Sequence, residues 1–145
     1  MNKLIFLFII LSNLLFSQST IVRQLKGFWN IEIDKWQPSI DFGGDSIFVL
    51  APSKIELVDK KYGSNPKSPR WVIKMTKKSD SEIFDQSFYE SLGSDSVFIV
   101  IRGYSGIKMS LKIDKDTLKG FAETFWDFPR EVQKTKVMLI RCKHH

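Results

Sequence analysis

From residue 96 to the end of the chain, apolar and polar residues alternate in short runs, with only a few turn residues between one run and the next. The cleanest run is 107–113. Ile107, Met109, Leu111 and Ile113 fall on one side, and Lys108, Ser110 and Lys112 on the other. Successive side chains of a strand point to opposite faces, so period-two alternation marks a half-buried β-strand. The runs 97–101, 107–113, 117–125 and 135–142 follow at the roughly 8–12-residue spacing of an antiparallel meander. A parallel sheet would need a crossover of roughly a dozen residues or more between strands. The turns "RGYSG" (102–106) and "DKD" (114–116) leave no room for one.

The first half reads the same way. In 29–34, Trp29, Ile31 and Ile33 alternate with Asn30, Glu32 and Asp34. Residues 54–59 alternate weakly, and 70–77 place Trp71, Ile73 and Met75 on one face. "SIFVL" (46–50) and 97–101 are apolar on both faces, as covered strands are. "GGD" (43–45) and "LGSDS" (92–96) carry the Gly, Asp and Ser that tight turns need. Pro66 and Pro69 make 62–70 a surface loop without ladder bonding. "GGDSIFVL" (43–50) and "GSDSVFIV" (93–100) echo one another, either as a duplicated half or as two ordinary turn-plus-strand segments.

One stretch supports two readings. In 79–93, Ser79 and Glu82 have capping-box spacing, Phe84, Phe88 and Leu92 recur every four residues, and Gly93 can end a helix. The same letters allow an irregular strand over 83–90, favoured by the strands on either side. The expected fold is all-β: an antiparallel up-and-down meander of eight or nine strands closing into a small barrel, with a short helix near 80–91 as the alternative there. Closure leaves no strand edge exposed.

Residues 1–19 stand apart. Lys3 precedes an apolar run from Leu4 to Leu11 that resumes at Leu14–Phe16, and small polar residues follow. This is the order of a secretory signal. Ser17 and Ser19 have small-x-small spacing, so cleavage is expected after Ser19 or Ser17; retention as an uncleaved anchor is the alternative. Residues 20–145 would form one domain, periplasmic or extracellular. No later segment is long and apolar enough to span a bilayer. Loss of Lys3 takes the net charge from +6 to +5. The cations are spread along the chain, so nucleic acid is not an expected partner.

Cys142 is the only cysteine, so no internal disulfide can form. At strand spacing with Met138 and Ile140, it reads as a buried apolar filler. Catalytic chemistry is sparse, and no enzymatic activity, metal or cofactor is expected. The two histidines, His144 and His145, end the chain, where a general base is poorly held. "GYSGI" (103–107) puts Ile107 where a nucleophile elbow needs glycine, so Ser105 reads as a turn residue. "DKD" is far short of a calcium sphere and reads as a solvated turn.

The aromatic residues are the informative ones. "ETFWDFPRE" (123–131) sets Phe125, Trp126 and Phe128 beside Arg130 in what reads as a loop. Such rings give large contact area at low entropic cost, so these four residues are the candidate ligand or partner surface. The alternative is that the rings fold inward and plug one barrel end. At the other end of the domain, Gly27 and Trp29 open the first strand as Gly-x-Trp, and Arg141 lies in the last. This pattern resembles that of lipocalins and related calycin barrels. The resemblance implies that Trp29 closes one barrel end with Arg141 over its ring, and that Gly27 admits the close turn. Asn30 after the tryptophan and the lack of disulfides depart from the usual pattern. The function implied is an exported carrier of an apolar or amphipathic small molecule. The alternative is a packed interaction module that binds a protein or envelope polymer through its loops. A monomer is expected.

Overall fold

The computed structural model describes residues 20–34, 39–40, 46–47, 51–65, 67–103, 105–126 and 132–143; residues 39, 40, 46, 47, 105 and 126 are described by backbone alone. Residues 1–19, Phe128, Arg130, His144 and His145 lie outside this set, and so do the readings made for them.

A short helix, α1 (residues 20–25), leads into ten strands. These are β1 (Gly27–Ile33), β2 (Ser39–Ile40), β3 (Ser46–Ile47), β4 (Lys54–Lys61), β5 (Trp71–Met75), β6 (Phe88–Ser91), β7 (Ser96–Arg102), β8 (Ser105–Asp114), β9 (Thr117–Trp126) and β10 (Lys134–Arg141). A second helix, α2 (Lys78–Ile83), separates β5 from β6. Eight strands close into an antiparallel barrel in the order β1-β10-β9-β8-β7-β6-β5-β4. Neighbours in the chain are neighbours in the sheet from β4 onward, which is the expected meander. Pairing of β1 with both β4 and β10 closes it.

Three expectations change. Ser46–Ile47 belongs to a two-stranded ribbon with Ser39–Ile40, not to the barrel. Of the segment that echoes 93–100, only Ser46 and Ile47 are described, and they pair in this ribbon whereas β7 is a barrel strand. The ambiguous segment takes both forms in succession, α2 and then β6. Helix α2 starts after Lys77 without a side-chain cap, so the Ser79–Glu82 spacing does not cap it. Helix and strand meet where Phe84 turns into the barrel and is buried. Cys142 is half-buried on the outer wall, its Sγ 3.4 Å from Asn30 Oδ1. Met138 and Ile140 face outward with it, because Val137 and Leu139 take the inward positions.

The alternation places the core. Tyr89, Ile99, Met109 and Ala122 pair side by side around the barrel, as do Ile113, Leu118, Leu139 and Ile31. Ile21, Val22 and Leu25 of α1 pack into one end, and Phe84 joins the same cluster. Trp29, Tyr89, Ile99, Met109, Leu118 and Leu139 expose no surface. Neither solvent nor a ligand has room against them. Tyr89 stacks on Trp71 at 5.8 Å and donates its hydroxyl to the Val58 carbonyl. Each fully buried Leu or Ile adds about 1.5–3 kcal/mol, and this filled interior, without any disulfide, holds the fold.

Helix α2 is tied down by Ser87. Its buried hydroxyl donates to the Phe84 carbonyl at 3.3 Å and accepts from the Arg102 amide at 3.2 Å. Gly103 fits because a Cβ there would strike the Ile83 carbonyl oxygen. Among the described residues, no helix is long and apolar enough to cross a membrane.

Candidate functional site

One barrel end is organised by Arg141. Its guanidinium lies 4.3 Å from the Trp29 ring centroid, within cation–π range. Nη1 donates to the Lys26 carbonyl at 2.9 Å, and Nη2 donates to the Gln24 carbonyl. The Trp29 indole N–H donates to the Leu25 carbonyl between them, at 2.9 Å. The last carbonyls of a helix have no partner within it. Here Trp29 and Arg141 supply donors to three successive carbonyls where α1 ends. Nε of Arg141 also faces Asp116 Oδ1 at 3.3 Å, which ties in the β8–β9 turn.

Gly27 permits this packing. Its φ of +134° belongs to a region almost confined to glycine. A Cβ there would lie 3.2 Å from Arg141 Nη1. Gly27, Trp29 and Arg141 thus meet in one plate, which seals the end and offers no space to a ligand. The "DKD" carboxylates are engaged too, since Asp114 pairs with Lys119 at 3.0 Å. Among the described residues, no cluster of His, Cys, Asp or Glu could hold a metal ion.

The aromatic candidates begin inside β9, which runs one residue past the expected strand, through Trp126. Phe125 pairs with Gly106 and Trp126 with Ser105. Thr124 points inward, so Phe125 points outward, and its ring covers Gly106; a Cβ on Gly106 would overlap it. Lys108 Nζ stands 5.0 Å from the ring centroid. Phe125 therefore does not plug the barrel end.

The residue the sequence reading passed over is Phe121. It is 48% exposed on the outer wall. Register makes it the centre of a three-by-three grid on β8, β9 and β10. Its own row is Ser110, Phe121, Lys136. One adjacent row is Lys112, Lys119, Met138, and the other is Lys108, Glu123, Lys134. Five of its eight neighbours are lysines and one is acidic. The grid covers about 10 by 13 Å, from the usual strand spacing and rise. Lys134 Nζ lies 4.9 Å from the Phe121 ring and 3.2 Å from Glu123 Oε1. Lys112 and Lys119 stand directly opposite one another. Like charges in that position weaken a sheet, and Asp95 and Asp114 at the rim offset them at 4.0 and 3.0 Å.

The far wall is more nearly balanced. There Glu32, Glu56 and Asp59 accompany Lys54, Lys60, Lys61 and Lys74 on β1, β4 and β5. The larger local excess of positive charge is therefore on the β8–β10 side of the barrel. No signal short of strand register could reveal this, because the five lysines are scattered from 108 to 136 in the sequence.

No protein-family model matches the chain, and neither the curated proteins nor the solved structures yield a match.

Proposed function

We propose that this chain is an exported, non-catalytic binding module that docks on an anionic partner through the outer wall of β8, β9 and β10. The observation that carries this reading is the exposed Phe121 ring framed by five lysines. Charge gathered on one face draws an oppositely charged partner and orients it. An apolar ring at its centre adds contact area that salt does not screen. The closely packed interior weighs against carriage of a small molecule inside the barrel. The kinship proposed is with lipocalin-like barrels, on the Gly-x-Trp start, the Arg141–Trp29 stack and the up-and-down strand order. Fold does not carry function, so the reading rests on the wall and not on that kinship.

Elution from immobilised dextran sulfate along a salt gradient tests it. Lys112, Lys119 and Lys136 are changed together to Gln, and Lys54, Lys60 and Lys74 likewise on the far side. Both variants lose the same charge. The first should elute at clearly lower salt than the parent, and the second close to it. Identical elution of the two variants would remove the outer-wall reading.

A further inference from the structure

We propose that the partner of the Phe121 grid is a lipid bilayer carrying anionic headgroups, an inference that rests on the outer-wall reading above. All five grid cations are lysines. A guanidinium presents a rigid fork suited to one fixed carboxylate or phosphate, whereas an ammonium is a compact charge on a flexible stem. Five such stems on the outside of a barrel suit many mobile phosphates better than one placed anion. The outer wall of a closed barrel is convex, so among the described residues nothing encloses a small free anion there.

The centre of the grid points the same way. Phe121 presents an exposed apolar ring in the middle of the charge. The Lys134 ammonium stands over the ring at 4.9 Å and pairs with Glu123, and its flexible stem lets it swing to a phosphate. Against a bilayer, the ammonium groups reach the headgroup phosphates while the ring enters the boundary of the acyl chains. Half-buried Met138 lies at a corner of the same grid and extends the apolar contact. The direct Lys112–Lys119 opposition is offset in part by Asp95 and Asp114 at the rim, and an anionic surface relieves it further.

Cosedimentation of the full-length protein with vesicles tests the inference. Vesicles of phosphatidylglycerol mixed with phosphatidylcholine are compared with phosphatidylcholine alone. Near an anionic surface each lysine is worth about fivefold in affinity. The Lys112→Gln, Lys119→Gln, Lys136→Gln variant should therefore bind the mixed vesicles roughly a hundredfold more weakly than the parent. The far-wall triple variant should stay within a few fold of the parent, and Phe121→Ser should weaken binding at unchanged charge. Residues 1–19 are common to every variant, so the differences report the grid alone. Unaltered thermal melting of each variant confirms that its fold is intact. Equal binding by the parent and the grid variant, or equal loss from both triple variants, overturns the inference. Grid-dependent retention on dextran sulfate without grid-dependent binding to the mixed vesicles overturns the bilayer and keeps the outer wall. Failure on both supports overturns both readings.

Discussion

Arg141 lies over the Trp29 ring at 4.3 Å, and the two side chains together satisfy the carbonyls of Gln24, Leu25 and Lys26. The pair locks the start of the domain to its last strand. Trp29 exposes no surface. Trp29→Ala should cost ~3–5 kcal/mol, as truncation of a buried large aromatic does. Arg141→Lys keeps the charge but cannot fork between two carbonyls. It should cost about 1.5–3 kcal/mol, the worth of a hydrogen bond to a charged group. Urea unfolding reads both, and faster amide exchange at residues 20–26 in Arg141→Lys would locate the loss.

Gly27 and Gly93 separate two costs of adding a methyl group. Gly93 has φ +76° and open space around it. Gly93→Ala should cost about 1–2 kcal/mol from the left-handed backbone alone. Gly27→Ala carries ~1–3 kcal/mol of backbone strain and also crowds Arg141. It should melt below Gly93→Ala, and the gap should shrink when Arg141 is already Ala.

Gly106 and Phe125 should be coupled. Gly106→Ala forces the ring off the wall, whereas Gly106→Ala with Phe125→Ala has no ring to displace. A double-mutant cycle by urea unfolding should give an interaction energy of about 0.5–3 kcal/mol, the usual range for residues in contact. A value near zero would mean that the ring does not lie on Gly106.

Tyr89 should make the fold sensitive to alkali. Burial, and to a lesser degree the Asp59 carboxylate, hold its phenol protonated well above the usual tyrosine range. The unfolded chain ionises this phenol near pH ~10. Below that pH the contribution to stability is complete. As pH rises from there toward the folded-state value, the unfolded state gains charge that the folded state cannot, and stability falls. Urea midpoints should drop above pH ~10 in the parent. Tyr89→Phe should show a shallower drop.

The barrel was legible because several strands alternate, 107–113 without a break, and because the turns are short. Ile107, Met109 and Leu111 are buried, and Ile113 packs against them on the same inward face. The plate of Gly27, Trp29 and Arg141 was legible as a pattern of three letters, though its bonds to the α1 carbonyls were not. Ser46 and Ile47 lie in the ribbon and not in the barrel, because an apolar run does not say which sheet it joins. Trp126 was read as loop, with Phe125 at the strand's end, because the aromatic segment lies between two strands; pairing with Gly106 and Ser105 extends β9 through both. The Phe121 grid was invisible for a different reason. Each lysine looks like an ordinary outward strand residue, and only the pairing of β8, β9 and β10 sets five of them around one ring.

The pairing of β1 with β10 also governs the order of assembly. The hairpins β7–β8, β8–β9 and β9–β10 join segments close in sequence and can form soon after they are made. The seam between the first and last barrel strands closes the longest loop in the domain, and contacts between distant segments are slow to form. Until residue 141 is available, β1 and β9 each present an open edge, and such edges invite pairing with other chains. Closure of this barrel therefore waits on β10, and shortening β10 should leave an open-edged, aggregation-prone sheet in place of a smaller barrel.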